Sequence, residues 1–539
     1  MKTVAQVLVE SLKEIGVKHI FGVPSGGWVD YLEAIRQTDG IDFVLTSHEG
    51  GASFMADVCG RLTGVPGVCF GTFGPGATNL STGVGGALLD RSPMLALTDE
   101  MPARLRGRTV QMGIDHQALF APITKASTRL RAEDVRKTIF DAAAVALSSR
   151  PGPVHIGLPV GMSAMEAVDE FRDLPSASVA ANPDETLLTG VVELLKSSNR
   201  PILAIGLGAK LARIDDAVLA FVEKLNIPVV LTPMAKGIVP ENHRCYAGVL
   251  FHALSDQVGQ IHKEADLVVS IGYDPIEFNY ESWLPDAPLV HIDNFPADID
   301  PEQVSLAAEV IGDLAKSIAF LQSRVVVSSA WDMDKLRAHR EILFEKLTPH
   351  STTLGPCATL DVLREVLPDD GIMTCDVGAH THLIGQKWRT PGNGLQIMSN
   401  GWSSMGFGIP SAIAAKLCHP EKAVCCVVGD GGFLMTCGEI ATAVREELNV
   451  VIILLTDNDL ALIRIKQEKK HNPIYGTPIR KHGTVGGDNF FGAPVIRVDD
   501  VESLEVALVG AFQMKGPVIV EALVDSREYD ALVLKKDKT

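Results

Sequence analysis

Ala423-Val-Cys-Cys-Val-Val428 runs directly into Gly429-Asp430-Gly431-Gly432-Phe433, and Asp457-Asn458-Asp459 begins 27 positions after Asp430. The first segment is apolar and of strand length. A helical pattern from Cys437 to Leu448 comes next, followed by a second apolar run, Val450 to Leu455. Strand, glycine turn, helix and strand in this order predict two neighbouring parallel strands with acidic residues at their carboxyl ends. Ligands of such sheets bind beyond those ends. Carboxylates beside glycine amides and a helix N-terminus suit a hard divalent cation and the phosphates it bridges. The segment therefore predicts a magnesium-diphosphate site.

Outward from this segment, 539 residues leave room for several domains. The chain is 46% hydrophobic and 21% charged with 49 Gly, the profile of a large globular α/β protein. A formal charge of −18 argues against a nucleic-acid partner and for a soluble, self-repelling molecule. No apolar run approaches the length of a membrane span. The N-terminal Met1–Glu10 stretch reads as an amphipathic helix, because acidic residues interrupt it before a signal-peptide core develops. The nine cysteines are scattered and form no Cys-x-x-Cys pair, so they are expected to be reduced core residues of a cytoplasmic protein.

Three α/β blocks can be drawn. Residues 1–170 alternate apolar strands (Val17–Phe21, Phe43–Leu45, Pro93–Leu97, Pro153–Ile156) with helical patterns. A polar linker is expected near 172–184. The middle block, 186–328, opens with Pro201-Ile-Leu-Ala-Ile-Gly-Leu-Gly208 and continues through strands at Ile227–Leu231, Leu267–Ile271 and Leu289–Ile292. A helical connector, Trp331 to Leu347, leads to the third block, 353–530, which carries the opening motif.

Gly-Asp-Gly followed at this distance by an Asn/Asp-rich turn resembles the signature of thiamine-diphosphate-dependent enzymes. The resemblance extends over essentially the whole chain. Ser47-His48-Glu49-Gly50-Gly51-Ala52 is similar to the family's Arg-His-Glu-x-x-Ala. Gly74-Pro75-Gly76-Ala77-Thr78-Asn79 and Thr232-Pro233-Met234-Ala235-Lys236-Gly237 resemble the acetolactate synthase and pyruvate oxidase branch, which also includes benzoylformate decarboxylase-like enzymes. Asp376-Val-Gly378 and Ser399-Asn-Gly-Trp-Ser-Ser-Met405-Gly406-Phe407-Gly408 complete the set in the third block. The resemblance implies an α/β protein of three doubly wound parallel-sheet domains: pyrimidine-binding (1–170), central and nucleotide-binding-like (186–328), and diphosphate- and magnesium-binding (353–530).

It also implies roles residue by residue, with thiamine diphosphate and Mg2+ as cofactors. Asp430, Asp457 and the backbone carbonyl of Asp459 would hold the metal, while Gly429, Gly431 and Gly432 let the backbone approach the diphosphate. The family pattern usually carries Asn where Asp457 stands; the added charge should strengthen cation binding and repel the diphosphate. Glu49 is the implied catalytic carboxylate, hydrogen-bonded to the aminopyrimidine ring nitrogen. Met405 is the bulky apolar residue that holds the two cofactor rings together, a proximity effect. The Ser403 carbonyl, His380 and Leu460 are the remaining cofactor contacts.

The implied reaction is decarboxylation of a 2-oxo acid. The paired histidines of pyruvate decarboxylases are absent, since Thr72-Phe73-Gly74 stands in that region, and their glutamate after the metal turn is replaced by Ile463. Carboligation to a second carbonyl, as in acetolactate synthases, is thereby favoured over aldehyde release. The Trp that helps select the acceptor in biosynthetic acetohydroxyacid synthases is replaced by Lys466, which leaves the acceptor open. Ser25, Gly26, Phe73, Gln111 and His116 join Ile463 and Lys466 as candidates for the substrate pocket. Gly206-x-Gly208 raises FAD, which several relatives bind there; a tight turn without a ligand is the stronger reading. The rivals are a non-oxidative decarboxylase, a flavin-linked oxidase and an inactive partner subunit. The cofactor of this family lies between the first block of one chain and the third of another, implying a homodimer at least, with a homotetramer as the expected assembly. The segment from Asp525 onward is expected near the site.

Overall fold

The computed structural model describes residues 2–148, 150–168, 173–174, 180–348, 353–480, 483–484 and 486–533. The expected linker at 172–184 and the end of the C-terminal segment therefore lie partly outside the described residues. Among the described residues, nineteen strands form three sheets. In the first, β1 (His19–Gly22), β2 (Asp42–Leu45), β3 (Gly67–Gly71), β4 (Met94–Glu100), β5 (Ala126–Arg129) and β6 (Pro153–Pro159) lie in the order β2-β1-β3-β4-β6-β5. The second contains β7 (Pro201–Ile205), β8 (Val229–Leu231), β9 (Tyr246–Val249), β10 (Leu267–Ile271), β11 (Leu289–Asp293) and β12 (Leu306–Ile311), in the order β12-β11-β10-β7-β8-β9. The third contains β13 (Ile372–Cys375), β14 (Gln396–Ile397), β15 (Val424–Gly429), β16 (Val451–Thr456), β17 (Asn489–Phe490), β18 (Ala493–Val498) and β19 (Val518–Leu523), ordered β14-β13-β15-β16-β19-β18-β17.

Every pairing is parallel except β17 with β18 at the edge of the third sheet. Helices cover both faces of such sheets, so central strands are apolar on both sides; β7, β10 and β16 are buried at every position. Among the described residues no helix is long and apolar enough to cross a membrane.

In the third sheet the chain moves from β13 outward to β14, then returns to place β15 on the other side of β13. This reversal opens a crevice at the carboxyl ends of β13 and β15. Gly429 pairs in register with Leu455, so the residues just beyond the two strands, Asp430 and Asp457, leave the sheet side by side. No separate glycine turn intervenes: a helix starts at Asp430 itself and runs to Thr436, and the expected Cys437–Leu448 helix is a 3-10 turn (Cys437–Glu439) followed by Ile440–Arg445.

The three blocks share packing. The Glu49–Thr63 helix packs on the Pro75–Leu89 helix and on the Gly408–Cys418 helix of the third block. Phe54 meets Phe407 edge-on there, with ring centroids 5.6 Å apart. In the middle block, a Cβ on Gly206 would lie 2.5 Å from the Gly272 carbonyl oxygen, and one on Gly208 would lie 2.9 Å from the Gly272 Cα. The close approach of the turns after β7 and β10 accounts for both glycines. Gly272 itself has φ +61°, and a Cβ there would sit 2.2 Å from the Ala209 nitrogen. Gly272→Ala is therefore expected to destabilise the chain by about 1–3 kcal/mol through overpacking and backbone strain. Urea unfolding measures this; an unchanged midpoint would contradict the packing described.

Candidate functional site

Turns from β13, β15 and β16 bring the predicted metal residues together around a cavity of about 130 Å³, lined in part by His380, Met405, Asp430, Asp457, Leu460 and Ile463. The Asp430 carboxylate accepts hydrogen bonds from the amides of Gly431 (2.9 Å) and Asn458 (2.7 Å). Burial, reinforced by the charge of Asp457, pushes its pKa up to about 7. Asp457 accepts from the Asp459 amide at 3.2 Å, and burial raises it to about 6. Asn458, between them, takes φ +61°, a left-handed conformation that Asn tolerates.

Several polar atoms here have no protein partner: Nε2 of His380, Oδ1 of Asp459 and Oδ1 of Asn458. Buried polar groups are ordinarily paired. Two crowded carboxylates and these orphaned atoms fit a hard cation with an anionic group beside it. Burial lowers the His380 pKa to about 4, so its ring is neutral at physiological pH.

Asp376, at the end of β13, has a different task. Its carboxylate accepts from the amides of Val377 (2.7 Å), Gly406 (3.1 Å) and Gly408 (2.8 Å), although burial raises it to about 6. It thereby fixes the loop that carries Met405. Gly431 fits because a Cβ there would meet Leu460 at 2.7 Å and Met405 at 3.0 Å; on Gly432 it would meet the Asp376 carboxylate at 2.4 Å. The expectation that these two glycines admit a phosphate is thus supplemented by tight side-chain packing. Ser403 is exposed with φ +52°, and its hydroxyl donates to the Asn400 carbonyl.

Glu49 opens its helix and is 8% exposed. Asn79 Nδ2 donates to its Oε2 at 2.9 Å, and a Cβ on Gly76 would lie 3.2 Å from its Oε1. Gly74–Asn79 therefore wraps the glutamate. None of the residues lining the Asp430 cavity comes from the first block.

Two carboxylates that the sequence reading missed tie these parts together. Glu439, 1% exposed in the third block, accepts from the amides of Ser47 (3.1 Å) and His48 (3.0 Å) and from the Thr442 hydroxyl (2.8 Å). It holds the turn just before Glu49, and a Cβ on Gly51 would lie 2.2 Å from it. Asp90, in the first block, accepts from the amides of Asn400 (3.2 Å) and Gly401 (2.7 Å) and from Arg61 (2.9 Å). It holds the loop leading to Ser403 and Met405. Tyr529 was also missed; it lines the cavity from the described part of the C-terminal segment.

The proposed substrate residues are dispersed. Ser25 donates to Asp99 at 2.5 Å and Thr72 donates to the same oxygen at 3.2 Å; burial raises Asp99 to about 6. Gly26 and Gln111 are exposed and Phe73 is half-buried. His116 is turned inward: its Nε2 accepts from the Gly74 amide (3.2 Å) and its Nδ1 pairs with Thr98 (2.9 Å), so it braces the Gly74–Asn79 loop. Glu100, His116 and His155 place ligand atoms within 4.8 Å of one another, but each of those atoms already has a protein partner. Ile463 and Lys466 are exposed on the Ala461–Lys469 helix; Ile463 borders the Asp430 cavity. His382 lies within the Ala379–Lys387 helix against His252.

Glu439→Ala removes the acceptor for two amides and should cost about 1–3 kcal/mol in unfolding free energy; retained stability would show that the clamp is dispensable. Asp457→Asn should weaken Mg2+ binding to the cofactor-free chain by roughly three- to tenfold through loss of ligand charge. Calorimetric titration reads this, and an equal affinity would remove the Asp457 carboxylate from the metal shell.

Family models match three stretches of the chain: the thiamine pyrophosphate enzyme N-terminal TPP binding domain over residues 2–119, the central domain over 188–321 and the C-terminal TPP binding domain over 376–522. The chain is 30% identical to the probable acetolactate synthase large subunit of Methanococcus aeolicus, covering 97% of this chain and 92% of that one. It is 29% identical to the acetolactate synthase of Bacillus subtilis, covering 99% and 95%. It is 30% identical to the acetolactate synthase isozyme 1 large subunit of Escherichia coli, covering 98% and 94%. With its strand ends, carboxylates and full-length likeness in agreement, the chain belongs to the thiamine pyrophosphate enzyme family.

Proposed function

We propose that this chain decarboxylates a 2-oxo acid with thiamine diphosphate and Mg2+ and transfers the product to a second carbonyl, as an acetolactate synthase does. The observation that carries this reading is the crevice between β13 and β15, where Asp430, Asp457 and the orphaned Nε2 of His380 converge. The relatives that align along nearly the whole chain are named acetolactate synthases.

Thiamine diphosphate, when bound, supplies the electron sink that decarboxylation of a 2-oxo acid requires. The Asp430 and Asp457 carboxylates and the Asp459 carbonyl are the candidate ligands of the cation. His380, whose Nε2 has no protein partner, would meet the diphosphate, and Gly429, Gly431 and Gly432 would let the backbone approach it. Met405 and Leu460, in contact range of Gly431, wall the cavity against water. The Ser403 carbonyl would accept from the pyrimidine amino group. Glu49 would present Oε1, the oxygen not engaged by Asn79, to the pyrimidine ring nitrogen. Ile463 supplies no proton donor beside the reacting centre, which favours transfer to a second carbonyl over protonation and aldehyde release.

A cavity of about 130 Å³ is small against the roughly 300–1,000 Å³ of a complete ligand pocket. Glu49 is not among its lining residues. Large apolar side chains on the third block are also exposed, among them Leu434, Met435 and Tyr475. We therefore assign the other wall to the first block of a second copy, with a homodimer as the minimum active unit and a homotetramer compatible with it. Several relatives are named large subunits, so a small subunit is a further possible partner. Activity of the lone chain would show that such a partner is not required.

The purified chain supplied with thiamine diphosphate, Mg2+ and pyruvate is expected to release carbon dioxide and form acetolactate; a panel of 2-oxo acids and aldehydes then defines the acceptor. Free aldehyde as sole product, oxygen uptake, or no carbon dioxide would each overturn the reading. Glu49→Gln should remain folded and slow deuterium exchange at the cofactor C2 position by about 10²-fold or more. Mixing it with Asp430→Ala chains should restore part of the activity, because one of the two shared sites would then be intact.

A further inference from the structure

Two thiols outside the candidate site meet where the first and third blocks pack together. Cys59 lies in the last turns of the Glu49–Thr63 helix and Cys418 ends the Gly408–Cys418 helix. Their Sγ atoms are 3.1 Å apart. Among the described residues no other two thiols approach within hydrogen-bonding distance; Cys69 meets the Met94 sulfur, Cys245 the Asn226 side chain, and Cys375 and Cys437 backbone carbonyls. Cys59 is 7% exposed, whereas Cys418 is half-buried and reaches solvent.

The geometry points to a redox-reactive dithiol: a hydroperoxide oxidises Cys418, and Cys59 resolves it as a disulfide linking the first and third blocks. The sulfurs need to approach by only about 1 Å to reach the ~2.05 Å bond, a movement within side-chain rotation. The order of attack follows from access. The Cys418 thiolate attacks one oxygen of hydrogen peroxide, cleaving the O–O bond and forming a sulfenic acid, and the departing hydroxide takes up the proton the thiol released to become the first water. The Cys59 sulfur then attacks that sulfur, and its proton leaves with the departing hydroxide as a second water. The balance is two thiols and one peroxide giving one disulfide and two waters. The hydrogen bond with Cys418, reinforced by burial, pushes the Cys59 thiol up, which disfavours it as the first nucleophile and leaves it the second, resolving role.

This assignment does not depend on the proposed reaction, since neither cysteine lines the Asp430 cavity. Its consequence is mechanical. One bond would join the far ends of two helices whose starts lie beside Glu49 and Met405, and would close a loop of 359 positions in the chain.

The test treats the full-length protein with hydrogen peroxide, alkylates the remaining thiols in denaturant and maps peptides without reduction. Two of the nine thiols should be lost, with a Cys59–Cys418 peptide that dithiothreitol separates. Cys59→Ser should leave Cys418 as a sulfenic acid trapped by dimedone, and Cys418→Ser should abolish the crosslink while leaving Cys59 alkylatable. Circular dichroism of both variants confirms that they are folded. Irreversible over-oxidation of Cys418 without a crosslink, a disulfide to any other cysteine, or retention of all nine thiols would overturn the assignment.

Discussion

The structure depends on an exchange of carboxylates between its outer blocks. Glu439 reaches from the third block to the amides of Ser47 and His48, and Asp90 reaches from the first block to the amides of Asn400 and Gly401. Hydrogen bonds to an ionised acceptor are worth about 1.5–3 kcal/mol each, and a buried amide left without one costs a comparable amount. These contacts are therefore hard to loosen singly. Each clamps the turn that carries a candidate cofactor residue: Glu49 in the first case, Ser403 and Met405 in the second. Gly51 and Gly85 mark how close the clamps are, since a Cβ at either position would meet Glu439 or Trp402. Under the proposed dimer these two turns face different sites, so each chain mechanically joins one half of one site to the other half of its neighbour.

A second constraint is the crowding of acidic side chains at the carboxyl edge of the third sheet. Asp376, Asp430 and Asp457 follow strands β13, β15 and β16, and burial raises all three. Their surroundings separate their roles. Asp376 is met by three amides and needs no cation; its charge is spent on shaping the Met405 loop. Asp430 and Asp457 are less fully satisfied, face one another electrostatically and stand beside orphaned atoms of Asn458, Asp459 and His380. Only there does a positive ion relieve the local cost of burying charge.

The fold was legible where strands are apolar throughout, as at Pro201–Ile205 and Leu267–Ile271, and where strand ends carry Gly and Asp. It was not read at β3, β5, β9, β12, β13, β14, β17, β18 and β19: Gly67 and Gly71 bound one, Ala126–Arg129 is largely polar, Leu306–Ile311 is half-exposed at a sheet edge, and β14 and β17 are only two residues long. The metal candidates could be read because their spacing reflects two adjacent strands and the crossover between them. Glu439 and Asp90 could not. Their partners lie 391 and 311 positions away, and an isolated Glu or Asp on a helix carries no local sign of such a contact. His116, a substrate candidate in the sequence, carries no local sign that burial commits both its ring nitrogens to the scaffold.

The helix pair Glu49–Thr63 and Gly408–Cys418 brings these observations together. At their starts lie Glu49 and the Gly406–Gly408 turn, held by Glu439 and Asp376; along their length Phe54 packs on Phe407; at their ends Cys59 faces Cys418. A close-packed pair of this kind transmits displacement instead of absorbing it, because its interior has no slack. Under the proposed function, the precision required at Glu49 and Met405 is thus supplied by the whole interface between the blocks. Its far end, where the packing meets solvent at Cys418, is the place at which chemistry from outside can act on that interface without entering the cofactor cavity.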